Sequence, residues 1–429
     1  MSCPSSTPST VISAGLAPVT LPLQFGGDVI QESLEIQLAD QIVPTLGERL
    51  ARLSRRDRLT LLEPAASRLL IAAEIQRLQA RHPDLAPMFT VAAEAERAIT
   101  DLQTLQAANG GFRPWAESGD YTQPFLSAYA ARAIAAAERA GIVVPPPLRD
   151  RLQSYLQGIA NNPSDCPGCT REQRLEALLG LAELGQRRPD LMASLYADRE
   201  QLSDLGQIKL AHLLSRDPNW QIEAALLTTS LSEVTYNTGR AASLNLPTSW
   251  QWYGSATAAQ AELLQLLVQQ DANADQLQAV AQGLMDLQRE GAWPSLYDNA
   301  VALSALANYQ PNRDISEATV SLGSETLGTF SFPGRYSLSR TDLPRGSSEL
   351  RIDSDGELPY LAAYSYSLPG PQPGRLQGIR VTRTLQPANS REPIATLGLR
   401  QPTEPINLPV GAIFDVGRRN HPRPRRQSY

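Results

Sequence analysis

Cysteine is scarce in this chain: Cys3, Cys166 and Cys169 are the three among 429 residues, too few for a disulfide framework. Histidine is equally rare, and His82, His212 and His421 lie far apart, so one cysteine pair has no second pair with which to complete a four-ligand zinc site. No run approaches the roughly 18 consecutive apolar residues of a membrane span. Residues 1–27 are rich in Ser, Thr, Pro and Gly and lack the basic start and apolar core of a secretory signal. Clustered Lys and Arg are also missing from the body of the chain, and a net charge of −6 gives no reason to expect nucleic acid. The basic cluster that exists is terminal: Arg418, Arg419, Arg423, Arg425 and Arg426 crowd beside Pro422 and Pro424, a composition expected to stay disordered.

Hydrophobic residues make up 42 % and charged residues 19 %, as in a globular protein, and the length calls for several domains. Ser33-Leu34-Glu35-Ile36-Gln37-Leu38 alternates with period two and predicts a strand. From Pro44 to Tyr309 apolar residues recur three and four apart, which predicts some ten to twelve helices. Thr170-Arg171-Glu172-Gln173 is a capping box opening a helix that buries Leu175, Leu178, Leu179 and Ala182, with Gly185 as its stop. Phe125, Tyr129, Ala133 and Ala136 line another helix, ended by Gly141, and Leu277 to Leu287 a third. Two more are expected between Glu48 and Arg81.

A weak echo links distant parts of this zone. Gly110-Gly111-Phe112, followed by Pro114 and Trp115, has the design of Gly291-Ala292-Trp293 followed by Pro294. Paired helices joined by Gly-aromatic turns predict an α/α toroid with aromatic plugs; the alternative is two unrelated helix stops. After Pro311 the pattern turns to strands: 318–322, 328–331, 349–352, 360–367 and 378–384, with Asp353-Ser354-Asp355-Gly356 read as a hairpin turn. These predict a small antiparallel β-sandwich.

Candidate chemistry is sparse. Cys166-Pro167-Gly168-Cys169 lies in a loop and not at a strand-to-helix turn, which leaves a short structural disulfide or two free thiols. Trp115 with Glu117 and Asp120 could form an aromatic platform and acid pair, as in α/α-barrel glycosidases. The plainer reading has Ser118 to Asp120 capping a helix near Thr122 and Trp115 plugging the toroid, with Asp298 capping in the same way. His212 shares a face with Leu205 and Ile208 and reads as a core residue. Asp353, Asp355 and Glu357 have partial calcium-loop spacing within a turn. Trp250, Trp252 and Tyr253 form an aromatic cluster read as domain packing. No cofactor or metal is expected.

Ser33 to Leu38, a helix through Leu53 and then Glu63-Pro64-Ala65-Ala66-Ser67-Arg68-Leu69 together resemble the start of the thioester domain of the bacterial alpha-2-macroglobulin family. Glu63, Ser67 and Arg68 match the family's motif. The Cys position falls on Leu61 and the Gln position on Pro64, so both partners of the internal thioester are absent. GGFRPWAESGDYTQPFLSAYAARAIAAAERAGIVVP and LMDLQREGAWPSLYDNAVALSALANY resemble two later segments of that domain, and Leu358 to Arg383 resembles the following CUB-like domain.

The resemblance implies a multidomain, mainly α chain: a terpenoid cyclase-like α/α toroid flanked by β-strands and an antiparallel β-sandwich. The expected division is a disordered segment at 1–28, a strand entering from a flanking β domain at 29–43, the toroid at 44–312 and the CUB-like sandwich at 313–388. A truncated β domain at 389–417 and a disordered Arg-rich tail at 418–429 follow. The resemblance further implies an endopeptidase inhibitor of the periplasm or cell surface and not an enzyme. It has proteases and flanking domains of the same protein as partners, and the chain looks like a fragment of it. The competing expectation is an α/α-toroid enzyme of terpene cyclase-like or glycosidase-like type.

Overall fold

Local signals place the helices before packing does. Thr170 Oγ1 accepts from the Gln173 N–H at 3.3 Å, and Gln173 Oε1 accepts from the Thr170 N–H at 3.0 Å, so the capping box is formed at both ends. Gly185, at φ +84°, takes the left-handed conformation that lets the chain leave this helix. The computed structural model describes residues 6–26, 29, 31–39, 60–81, 91–161, 168–231, 235–237, 241–246, 254–288, 292–309, 315–332, 334–369, 379–387, 395–397 and 414–422. The helix expected before Glu63, the Trp250-Trp252-Tyr253 cluster, Gly291, Cys166 and residues 423–429 lie outside these.

Eleven α-helices occur among the described residues: α1 (Leu62–Arg81), α2 (Val91–Leu105), α3 (Pro124–Arg139), α4 (Pro146–Asn161), α5 (Arg171–Glu183), α6 (Pro189–Ala197), α7 (Asp204–Ser215), α8 (Gln221–Ser230), α9 (Ala256–Gln269), α10 (Ala274–Asp286) and α11 (Leu296–Asn308). The odd-numbered helices divide into an inner set by contact. α1 packs on α3, α3 on α5, α5 on α7, α7 on α9, α9 on α11, and α11 returns to α1. The even-numbered helices pack outside this ring, α2 on α1, α4 on α3 and α5, α6 on α5 and α7, α8 on α7 and α10 on α9. Composition explains the division. α3 buries Ala128, Ala130, Ala131, Ala133, Ala135, Ala136 and Ala137, small side chains that let ring neighbours approach from several directions. The outer α2 carries one apolar stripe, Ala95, Ala98, Ile99, Leu102 and Leu105.

The strands form two four-stranded antiparallel sheets, ordered β1-β10-β3-β8 and β2-β9-β6-β7. Their ranges are β1 (Ser6–Ala17), β2 (Val19–Phe25), β3 (Gln31–Ala39), β6 (Glu317–Leu322), β7 (Glu325–Ser331), β8 (Arg335–Arg340), β9 (Gly346–Ser354) and β10 (Leu358–Pro369). Alternate residues of both sheets, among them Val19, Leu34, Ile36, Val320, Ile352 and Tyr360, meet in one apolar cluster. A hairpin of β4 (Thr235–Asn237) and β5 (Ala242–Leu244), unforeseen in the sequence, lies within the helical zone. The ring and the sheets touch where the Leu16 N–H donates to Gln282 Oε1 at 3.1 Å and Tyr309 Oη donates to Glu357 Oε2 at 2.5 Å.

Four expectations are corrected. Residues 6–17 and 19–25 are strands and not part of a disordered segment, because Val19, Leu21, Leu23 and Phe25 alternate with polar residues; Pro22 is tolerated since β2 is an edge strand. The strand expected at 29–43 belongs to the same two-sheet body as residues 317–369, pairing with β10 and β8. β11 (Ile379–Pro387) does not join that body: it pairs with β12 (Ala395–Leu397) and β13 (Phe414–Pro422), so the two-sheet body ends before the expected 388 and residues 418–422 are strand. Asp353 to Gly356 joins β9 to β10, which lie in different sheets, so this turn is a crossover and not a hairpin. Asp355 there accepts from the Ser316 N–H at 3.1 Å, while Asp353 pairs with Arg351 at 2.7 Å, and Glu357 accepts from Tyr309. The three carboxylates thus have separate partners.

Candidate functional site

The start of α1 carries the residues singled out by the sequence. Leu61 makes an antiparallel bridge with Trp115, and the Leu62 N–H donates to the Pro114 carbonyl at 3.0 Å. The turn after α2 is thereby fixed to the first residues of α1. Glu63 sits in the first helical turn, where its charge suits the helix dipole, and Pro64, buried in the same turn, needs no amide partner there. Ser67 Oγ donates to Glu63 Oε1 at 2.8 Å and lies 3.0 Å from Tyr129 Oη. Burial pushes the Tyr129 phenol well above its ordinary range. Arg68, 1 % exposed, turns the other way and pairs with Asp101 at 3.0 Å. Leu61 and Pro64 carry neither nucleophile nor acyl group.

Gly110, Gly111 and Phe112 act structurally. Gly110 has φ +92°, and a Cβ on Gly111 would sit 2.5 Å from the Tyr155 ring. Phe112 is fully buried and its N–H donates to Ser127 Oγ at 2.9 Å. Gly111→Ala is therefore expected to destabilise the fold by about 1–3 kcal/mol through overpacking; an unchanged melting temperature would contradict the close approach. Trp293 is likewise buried, its indole N–H donating to the Leu284 carbonyl at 2.9 Å. Trp115 differs. It is 49 % exposed and plugs nothing, because the bridge to Leu61 holds its backbone at the surface. Nor do Ser118 to Asp120 cap α3: the cap is Gln123, whose side chain accepts from the Leu126 N–H. Asp298 is not a cap but the third helical residue of α11, buried between Ser295, the actual cap, and Ser255.

The inside of the ring holds a second, unforeseen constellation. Arg132 donates to Glu262 at 3.2 Å, and Glu262 is 2.5 Å from His212 Nδ1. Arg216 donates to His212 Nε2 at 3.1 Å and to Glu183 at 2.7 Å, and Glu183 accepts from Arg139 at 2.8 Å. With Arg216 donating to Nε2, the His212 proton belongs on Nδ1 and the ring is neutral, a satisfied core residue. Burial and then Arg216 lower its pKa. Beside this relay, Lys209 pairs with Glu176, and the ammonium lies 5.1 Å from the Phe125 ring centre. Glu262 in Ala-Glu-Leu-Leu and Arg132 in Ala-Ala-Arg-Ala-Ile each interrupt an apolar run, and that isolation was the available sequence signal.

Towards the second halves of the six ring helices the axis opens into a cavity of about 570 Å³ lined by Arg77, Arg132, Arg139, Glu183, Arg187, His212, Arg216, Gln265 and Ser304, among others. Burial alone would raise the Glu183 pKa, but Arg216, Arg132 and Arg139 outweigh it and hold it at about 2 against an ordinary 4.5. A depressed carboxylate pKa stabilises the fold above pH 4.5, and that contribution, roughly 3 kcal/mol, is lost as pH falls towards 2. The depressed His212 works in the same direction at higher pH, since the unfolded histidine gains its proton first. Glu74, whose pKa burial raises, opposes them. Stability is expected to fall as pH drops from neutrality, with Glu183→Gln flattening the lower part of the profile; the same acid profile in that variant would contradict it.

No family model matches the chain. An alpha-2-macroglobulin homolog from Nostoc sp. is 34 % identical over 420 residues, which is 93 % of this chain. The chain is homologous to part of an alpha-2-macroglobulin. It spans 22 % of that relative's length. Among solved structures, Salmonella alpha-2-macroglobulin reacted with methylamine superposes with a TM-score of 0.65 at 18 % identity, covering 91 % of this chain and 26 % of its own. Native Escherichia coli alpha-2-macroglobulin, from domain MG7 to the C-terminus, gives 0.64 at 17 % identity, covering 89 % and 61 %. At such identities the macroglobulin structures establish the fold, mixed helix and antiparallel sheet. Cys169 is disulfide-bonded; Cys166 lies outside the described residues. No described helix is long and apolar enough to cross a membrane.

Proposed function

We propose that this chain is the toroid and CUB-like part of a bacterial alpha-2-macroglobulin-like endopeptidase inhibitor of the periplasm or cell surface, in which capture is non-covalent. The observation that carries the reading is the 34 % identity to the Nostoc homolog across nearly the whole chain. In this reading the closed helix ring is a terpenoid cyclase-like α/α toroid, and the two four-stranded sheets are the CUB-like sandwich. Leu61 and Pro64 occupy the positions of the thioester Cys and Gln, and Glu63, Ser67 and Arg68 remain as its helix start. Joined to neighbouring macroglobulin domains, the chain holds a protease by enclosing it. The toroid-enzyme reading draws no support from the cavity, where arginines outnumber carboxylates.

The test is incubation with several endopeptidases. The isolated chain is expected to leave hydrolysis of a large protein substrate intact. Supplied with its neighbouring domains, it co-migrates with the protease on a native gel and parts from it on a denaturing one. Stoichiometric inhibition by the isolated chain, or an adduct that survives denaturation, overturns the reading.

A further inference from the structure

The arginine cavity lies at the end of the ring away from Leu61 and Pro64, and the proposed inhibitor role makes no use of it. Apart from Tyr129, its polar lining comes from the second halves of α1, α3, α5, α7, α9 and α11 and from Arg187 and Arg216 just beyond α5 and α7. Five guanidinium groups, Arg77, Arg132, Arg139, Arg187 and Arg216, face it. Three carboxylates stand against them. Glu74 pairs with Arg77 at 2.6 Å, Glu262 with Arg132 at 3.2 Å, and Glu183 is shared by Arg139 and Arg216. Arg187 has no ion pair among the described residues. Positive charge is therefore in excess at this mouth in a chain whose net charge is −6.

Helix ends account for part of the excess, because the last-turn carbonyls of six ring helices attract cations. Arg139 and Arg216 are placed for that role, in the last turn of α3 and just after that of α7, and Arg77 lies one residue before the last turn of α1. Arg132 is two turns inside α3, and Arg187 lies outside any helix. Guanidinium donors also exceed what the carboxylates can take up, since each Arg offers five N–H groups in a planar fork. The neutral lining, Gln265, Gln269, Ser304 and Asn308, adds further donors. A volume of 570 Å³ falls in the range of small-molecule sites, about 300–1,000 Å³.

We infer that this mouth is a binding site for a small oxyanion bearing two or more carboxylate or phosphate groups, gripped by Arg187, Arg139 and Arg216. The guanidinium forks match both oxyanion types in bidentate fashion. Such a ligand would also add a tie between α3 and α7, already joined through Glu183, and the loop after α5. That coupling gives binding a stability readout distinct from protease inhibition.

The experiment titrates the chain with citrate and with pyrophosphate, each at ionic strength matched with sodium chloride, by calorimetry and thermal melting. Saturable one-to-one binding with a rise in melting temperature is expected for at least one probe. Citrate alone identifies a polycarboxylate ligand, pyrophosphate alone a phosphorylated one, and both a site for either. Arg187→Ala, at an exposed position, should weaken binding by about tenfold while lowering the ligand-free melting temperature little or not at all. Arg139→Gln, which keeps hydrogen-bonding capacity, should weaken it further. No saturable response to either probe, or binding indifferent to both substitutions, overturns the inference. A failure here leaves the inhibitor reading intact, since that reading is tested with proteases alone.

Discussion

Lys209→Met is expected to lower the stability of the helical ring by about 3–5 kcal/mol, because it leaves Glu176 buried with its charge uncompensated. Both side chains are about 6 % exposed, so water cannot replace the missing partner. The ammonium also rests over the Phe125 ring, a contact that a neutral side chain of similar length retains only as packing. Removing both charges, as Lys209→Met with Glu176→Leu, should restore wild-type stability or exceed it, since desolvating two ions consumes most of what their attraction returns. The two results together separate a stabilising bridge from a merely satisfied one. Urea or thermal melts of the three proteins make the comparison. Equal loss in the single and double variants would show that Lys209 matters for its packing and not for its charge.

That pair also shows why part of the fold was legible in the sequence and part was not. The capping box at Thr170, the Phe125 face of α3 and the glycine stops depend on residues within one or two turns, so local pattern suffices to place them. Of the aromatics in the Gly-aromatic echo, Phe112 and Trp293 are buried and Trp115 is exposed, a difference the local pattern does not carry. Strand partnership depends on distant residues. β10 lies between β1 and β3, more than 300 positions away, and no local signal states that Val11 meets Tyr364 or Ile36 meets Ala362. The turn chemistry at Asp355-Gly356 is real, but it is equally compatible with a chain crossing between sheets. Serine and proline at the N-terminus weighed towards disorder and hid the alternation from Val19 to Phe25.

The charged interior was missed for a different reason. A lone Lys209, His212 or Glu262 on an apolar face reads as a tolerated exception, and its partner sits on another helix of the ring. Glu176 is 33 positions from Lys209, and Glu262 is 50 from His212 and 130 from Arg132. Each exception is explained only once the ring closes and brings the odd-numbered helices face to face. The buried network then specifies which helix neighbours which, since a shifted ring would strand several charges without partners.

Methylamine treatment is expected to add no mass to the peptide spanning residues 60–68, and heating in denaturant to produce no cleavage beside Glu63. A thioester arises when a thiolate attacks a side-chain carboxamide and ammonia departs; Leu61 has no sulfur and Pro64 no acyl carbon beyond its backbone. Around the proposed positions the contacts are the Leu61 bridge to Trp115, the Leu62 bond to Pro114 and the Ser67 contacts to Glu63 and Tyr129. If these contacts hold the reacting geometry, Leu61→Cys combined with Pro64→Gln should lose one ammonia and become methylamine-reactive, whereas either change alone should not. Replacing Pro64 adds a buried backbone N–H in the first helical turn, where no intrahelical acceptor stands opposite, so a cost of about 1–3 kcal/mol is common to the single and double Pro64 variants and cancels in their comparison. Mass spectrometry reads both arms. Methylamine uptake by the unaltered chain would refute non-covalent capture, and an inert double variant would show that these contacts do not hold the reacting geometry.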